Sequence, residues 1–284
     1  MPDDDAPLTG CGGTLLLDAA RVRDALAGTR LADVRYVRAT GSTNDDAAAL
    51  LGDPSAAGAT LVAEFQTAGR GRKPGRRWTA PAGGALLFTT ILPRPVATDA
   101  LWCVPFWAAL AVADGVQEGC GVRLDLRWPN DLDLASRKAA GILCTSRVLG
   151  ATAHVACGVG LNVRRPPSTS SGLLAGIDPP PAFLSDAAAH VEREAVLAGI
   201  LAAMDALAEV LDRPDEVARA WEERAALRGT PYRLQLDADG SAVEGTALRL
   251  DREGGLVVDV AGRERVVHLA DARVVPPGVG APST

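Results

Sequence analysis

Apolar positions recur along this chain at two spacings, and each change of spacing marks an element. LLLDAARVRDALAG (15–28) repeats at helical spacing and stops at Gly28. DVRYVRAT (33–40) alternates like a strand. STNDDAAALL opens with capping residues and acids ahead of alanines and leucines, the order in which a helix starts. TLVAEFQ (60–66) and ALLFTTIL (85–92) read as strands on either side of a basic loop, and 99–119 reads as a buried helix. LDLRWPND runs from strand into turn, because Pro129 removes a donor and Asn130-Asp131 favours tight backbone. RKAAGILCTSRV and ATAHVACGVGLNV read as consecutive strands, and RRPPSTSSG (164–172) as a loop. Helices are expected at 191–211 and at 214–227, the second with Pro214 in its first turn.

From Gly229 the pattern changes. YRLQL, SAVEGTALRL, GLVVDV, ERVVHL and ARVV are short runs of period two, broken by DADG, REGG and AGR, the pattern of a small all-β barrel. The expected organisation is a disordered start (1–13), a large domain (14–228), a small β-barrel (229–276) and a disordered tail (277–284).

Composition narrows the picture. The chain has 284 residues, 48% of them hydrophobic, enough for a substantial core. A net charge of -6 argues against a general nucleic-acid surface but leaves room for one local anion site. The acidic start lacks a basic-then-apolar leader, so no secretory signal is expected. The apolar run 100–113 is too short for a bilayer and is interrupted by Pro105, so no membrane association is expected either. Five scattered cysteines without a CxxC pair fit reduced thiols in a cytoplasm, with Cys120 and Cys144 as small buried hydrophobes. Three distant histidines show no metal spacing. Of 29 basic residues only Lys73 and Lys138 are lysines. Arginine does not replace lysine where a compact, mobile ammonium is needed, which singles both out.

The candidate chemistry begins in GRGRKPGRRW (69–78), with Arg70, Arg72, Lys73, Arg76 and Arg77 and no acid. Gly69 and Gly71 let the backbone approach an oxyanion, and Arg70 and Arg72 can make bidentate bonds to phosphate. Mutual repulsion makes such a loop mobile until a polyanion neutralises it. The plain alternative is a solvated surface loop. The GxxxxGK[ST] spacing of a Walker loop is missing. Trp78 can stack on a base or anchor the loop in the core. Asn130 and Asp131 offer oxygens suited to Mg²⁺, or form an ordinary turn. Lys138 enters an apolar strand as a point charge for a carboxylate or phosphate, or snorkels at an edge. Gly158 and Gly160 imply close approach within a strand, or a bulge. Ser42, Thr43 and Asn44 offer hydrogen bonds at a helix start, or simply cap it.

Each piece is modest; their order is specific. STN, EFQTAGRGR…RRW, RWPND, RKAAGIL, GVGLNV and a terminal β-barrel together resemble the biotin protein ligase family over about 33–276. The resemblance implies an α+β fold: a catalytic domain related to class II aminoacyl-tRNA synthetases, with helices on a mixed sheet, plus an SH3-like β-barrel. It implies that biotin and MgATP give biotinyl-5′-AMP, and that a lysine of a biotin carboxyl carrier protein then takes the biotinyl group. It assigns biotin contacts to Ser42, Thr43, Asn44, Gln66, Arg70, Gly71, Arg72, Lys138, Gly141 and Gly158. Adenylate contacts fall to Arg70, Arg72, Arg76, Trp78, Asn130, Lys138 and Asn162, with Lys138, Arg70 and Arg72 catalytic and Asp131 in the Mg²⁺ region. Arg127 stands where the family usually has lysine. The basic loop is one residue longer, around Lys73-Pro74, which leaves open which of Arg72, Arg76 and Arg77 meets the triphosphate. About 40 residues precede STN, too few for the winged helix-turn-helix that some members use as repressors, so a ligase without DNA binding is expected. Lipoate or octanoate ligation on the same fold and a non-enzymatic adenylate-binding regulator are the alternatives.

Overall fold

The computed structural model of this chain describes residues 16–73, 75–166, 177, 179–236, 240–268 and 272–274. The expected disordered start and tail, and most of the 164–172 loop, lie outside them.

Strands form where the alternation placed them. They are β1 (Val34–Thr40), β2 (Thr60–Gln66), β3 (Ala85–Ile91), β4 (Val96–Ala97), β5 (Asp125–Arg127), β6 (Asp131–Leu134), β7 (Arg137–Leu149) and β8 (Thr152–Asn162). They make one eight-stranded sheet in the order β1-β2-β3-β8-β7-β6-β5, with β4 beside β8. Only β1 and β2 run parallel, so the sheet is mixed, as expected. Every residue of β3 is buried, because both faces of this central strand are covered. The short β4 and β6 were not foreseen: two- and four-residue strands are too brief to show alternation.

The helices follow the 3.6-residue pattern. Helix α1 (Ala19–Ala25) is shorter than the apolar run 15–28, because Asp18 caps it by accepting from the Ala20 and Arg21 N–H groups. Helix α2 (Thr43–Leu50) starts at Ser42, which makes no side-chain capping bond. Helix α3 (Val104–Cys120) follows a 3-10 turn over Thr98–Cys103 and ends at Gly121, where φ is +73°. Pro105 does not interrupt this stretch; it occupies the first turn, where its missing N–H is harmless. The continuous 98–120 segment is apolar enough to cross a membrane by length and composition, yet most of it is buried in the core. Helix α4 (Arg193–Ala206) and helix α5 (Pro214–Arg224) complete the layer, and the expected 191–211 helix ends as a separate 3-10 turn over Ala208–Asp212.

Helices α3 and α4 cross at glycine. A Cβ on Gly115 would lie 2.3 Å from the Ile200 backbone, and one on Gly199 would lie 2.7 Å from the Gly115 carbonyl oxygen. The main chains therefore approach at a distance no larger residue allows.

After residue 228 come β9 (Pro231–Leu236), β10 (Ala242–Leu250), β11 (Leu256–Val260), β12 (Arg263–Val267) and β13 (Ala272–Val274). They pair antiparallel in the order β12-β11-β10-β9-β13. This is the expected SH3-like module, and among the described residues no pairing of β12 with β13 closes it into a barrel. The module packs against the larger sheet-and-helix part of the molecule. The Trp128 indole N–H donates to the Gly254 carbonyl at 3.1 Å, and a Cβ on Gly254 would lie 2.8 Å from the Phe106 ring.

Candidate functional site

A cleft opens where α2, the 69–78 loop and the β7–β8 hairpin converge. Ser42, Thr43, Asn44, Gln66, Arg70, Gly71, Arg72, Trp78, Asn130, Lys138, Gly141 and Gly158 all line it, although they come from six separate stretches of sequence. Arg76, Asp131 and Asn162 do not line it. Phe88, Ile142, Leu143, Val159 and Gly160 complete the wall.

Its floor is a pair of rows across β7 and β8. Gly141 stands opposite Gly160, and Leu143 opposite Gly158. The pairing of β8 with β3 and β7 is continuous, so the two glycines do not mark a bulge. They make room for side chains. A Cβ on Gly158 would fall 2.1 Å from Asn44 Oδ1, and a Cβ on Gly160 would fall 2.5 Å from the Trp78 ring. A Cβ on Gly141 would press on both Trp78 and Lys138, at 3.1 and 3.2 Å.

The Leu143–Gly158 row carries uncharged polar groups. The Asn44 amide donates to the Leu143 carbonyl at 3.2 Å, and the Thr89 hydroxyl lies 2.9 Å from both Asn44 Oδ1 and Thr43 Oγ1. Gln66 Oε1 accepts from the Thr43 N–H at 2.7 Å and from its hydroxyl at 3.1 Å. These bonds fix the amide orientations of Asn44 and Gln66, and Ser42, Thr43 and Asn44 are buried. Helix α2 starts here because its first residues have partners across the sheet, not because Ser42 caps it.

The neighbouring Gly141–Gly160 row carries the Trp78 ring and the Lys138 ammonium. Lys138 Nζ lies 5.6 Å from the Trp78 ring centroid and 2.6 Å from Asp131 Oδ1. Asp131 thus reaches the site through Lys138. Asn130 donates to the Ile142 carbonyl at 2.6 Å and accepts in return from the Ile142 N–H, which pins the turn to β7. The buried Trp78 indole N–H has no hydrogen-bond partner among the described residues, although the ring is the loop's anchor. Arg127 pairs with Asp133, whose carboxyl is pushed up by burial against the pull of the Arg127 charge. Asn162 donates instead to the Ala182 carbonyl at 3.1 Å, tying β8 to the segment before α4.

The basic loop is a tight hairpin. Gly71 donates to the Arg76 carbonyl at 2.9 Å, and Trp78 to that of Gly69 at 3.1 Å. Arg70 reaches Asp45 of α2 at 2.9 Å, and Arg77 donates to the Thr67 carbonyl at 2.7 Å. Arg70 and Arg72 face the cavity, whereas Arg76 packs behind Gly71.

Comparison with known proteins bears on this geometry. Residues 37–162 match the biotin/lipoate A/B protein ligase family. The biotin–[acetyl-CoA-carboxylase] ligase of Mycobacterium tuberculosis is 33% identical over 90% of this chain and 94% of that protein. The chain belongs to the biotin protein ligase family. The ligase of the same name from Paracoccus denitrificans is 32% identical over 82% of the chain and 96% of its own length. The Aquifex aeolicus biotin protein ligase solved with biotin and ATP shares the fold, with a TM-score of 0.67 and 21% identity over 86% of this chain and 98% of that one. The expected α+β fold, with its mixed sheet, helices and terminal SH3-like sheet, is the biotin ligase fold.

Two partners in this family member escaped sequence reasoning. Asp45 reads only as a first-turn acid, because its partner Arg70 lies in another element. Glu64 is a lone acid in an apolar strand, a signal that a buried partner is needed somewhere. That partner is Arg193, which makes two bonds to it at 2.7 and 2.8 Å with both side chains almost wholly buried. Leu17 N–H adds a third at 2.6 Å. Burial opposes the Glu64 charge, but these bonds, the Arg193 charge and the Gly83 N–H outweigh it and hold the carboxyl below its ordinary value.

Proposed function

We propose that the protein is an ATP-dependent biotin–protein ligase. It joins biotin and ATP to form biotinyl-5′-AMP, then transfers the biotinyl group to a lysine of a biotin carboxyl carrier protein or domain. The observation that carries this reading is one cavity that brings amides and hydroxyls together with the cations Lys138, Arg70 and Arg72. Biotin has that profile: a polar, uncharged ureido ring joined by an aliphatic arm to a carboxylate. Thr43, Asn44 and Gln66 suit the ring, and Lys138, Arg70 and Arg72 suit the carboxylate and the phosphates.

In the first step a biotin carboxylate oxygen attacks the α-phosphorus, the bond to the β-phosphate bridge breaks, and pyrophosphate leaves. Two anions must approach, so Lys138 and the loop arginines work by position and charge. Asp131 holds Lys138 in place at 2.6 Å. Magnesium would enter with ATP and offset phosphate charge, with Asn130 and Asp131 the residues whose oxygens would help hold it. Among the described residues no three His, Cys, Asp or Glu side chains converge as a metal site of their own. The hairpin over the cavity keeps water from the mixed anhydride. In the second step the carrier lysine, as a free amine, attacks the acyl carbon, AMP leaves and the nitrogen loses a proton. Residues 14–228 form the catalytic domain and 229–276 the terminal one. Free thiols at Cys103, Cys120, Cys144 and Cys157 suit a reducing cytoplasm.

The test is pyrophosphate exchange into ATP with biotin, lipoate and octanoate in turn. Exchange with biotin alone is expected. Exchange with lipoate or octanoate alone would establish the rival ligase, and none at all would establish a binding protein. Lys138→Arg is expected to slow exchange more than Lys73→Arg, because a planar guanidinium cannot replace a point charge in contact with Asp131.

A further inference from the structure

We propose that Asp45 is the latch of the basic hairpin, a positioning residue that holds the loop closed over the cavity. The inference rests on the ligase reading for its purpose, but its geometry does not. Arg70 lines the cavity and meets Asp45 at 2.9 Å, joining the 69–78 hairpin to the first turn of α2. That turn also supplies Thr43 and Asn44 to the same cavity. The hairpin's backbone bonds, from Gly71 to Arg76 and from Trp78 to Gly69, shape the loop without attaching it to α2. Arg77 bonds back to Thr67 in the loop's own stem. The attachment to α2 therefore includes an ion pair that does not depend on the loop's internal shape.

Five cations crowd this loop, and their repulsion favours opening. An acid at residue 45 offsets part of that repulsion before any substrate arrives. The pair is 62% exposed on the arginine and 43% on the aspartate, so it is weak and breaks readily. A weak latch suits a lid that must admit ATP and release pyrophosphate in every turnover. The neighbouring Asp46 has a different job: it accepts from the Thr40 hydroxyl at 2.6 Å. Both acids occupy the first turn of α2, so a general effect on the helix would be shared, whereas the pair with Arg70 is made by Asp45.

The experiment compares wild type with Asp45→Asn, Asp46→Asn and Asp45→Glu. Substrate-free protein is digested briefly with trypsin, and cleavage after Arg70, Arg72, Arg76 and Arg77 is followed by mass spectrometry. Asp45→Asn is expected to be cut roughly threefold faster than wild type, in keeping with an exposed ion pair. Asp46→Asn should match wild type, and Asp45→Glu should restore most of the protection. The excess should shrink in high salt. Release of biotinyl-5′-AMP should quicken by a similar factor in Asp45→Asn. Equal cleavage of wild type and Asp45→Asn, or equal effects of the two asparagine variants, would overturn the latch. Digestion is independent of catalysis: a protein inert in pyrophosphate exchange but opened by Asp45→Asn would overturn the ligase reading and leave the latch standing.

Discussion

The helix layer and the cavity floor both depend on glycine, for opposite reasons. At the α3–α4 crossing, Gly115 and Gly199 let main chain meet main chain. At the floor, Gly158 and Gly160 let the side chains of Asn44 and Trp78 lie across the strands. In the first region a methyl group would push helices apart; in the second it would displace site groups while the strands stay paired. The ion pairs repeat the contrast. Glu64–Arg193 is sealed, whereas Arg70–Asp45 is open to water. One region is built to stay and the other to rearrange.

The contrast is most exposed at Arg193. Arg193→Met leaves Glu64 charged and buried, and should lower stability by about 3–5 kcal/mol in urea unfolding. The same pair makes the molecule acid-sensitive. The Glu64 carboxyl is held below its ordinary 4.5, so its contribution is complete above that value and fades as pH falls through the lower folded-state value. Wild type should therefore lose stability below about pH 4.5 more steeply than a Glu64→Gln variant, whose baseline is lower.

Gly115→Ala is the next largest effect. With a Cβ 2.3 Å from the Ile200 backbone, the helices must separate, which should cost about 3 kcal/mol and lower Tm while leaving the Michaelis constant for biotin unchanged in the folded fraction. Gly158→Ala should do the reverse. Moving the Asn44 amide by about an ångström should slow biotin-dependent exchange on the order of 100-fold, with a smaller loss of Tm than Gly115→Ala. A Gly158→Ala protein that activated biotin normally would end the distinction between the two glycine pairs.

Much of the fold was open to direct reading. The strands at 60–66, 85–91 and 152–162 and the late switch to short period-two runs stand where alternation put them, because sheet burial imposes period two. Elements too short to carry a period, such as β4 and β6, left no trace. The site was legible as a set of residues and not as an arrangement. Most of the expected residues converge, but Asn162 and Asp131 serve as supports, one for a loop and one for Lys138.

By itself the amino-acid order determined the period of the longer elements, the cationic loop with its glycines and, through the succession of its motifs, the family. The periods and the loop are local properties, and the succession of motifs can be read along the chain without knowing which segments touch. Only the tertiary structure decided that Trp78 rests on Gly160, that Asn44 fills the space above Gly158, and that Glu64 meets Arg193 across 129 positions. Such contacts depend on which strands become neighbours, and strand order is set by the packing of the whole sheet.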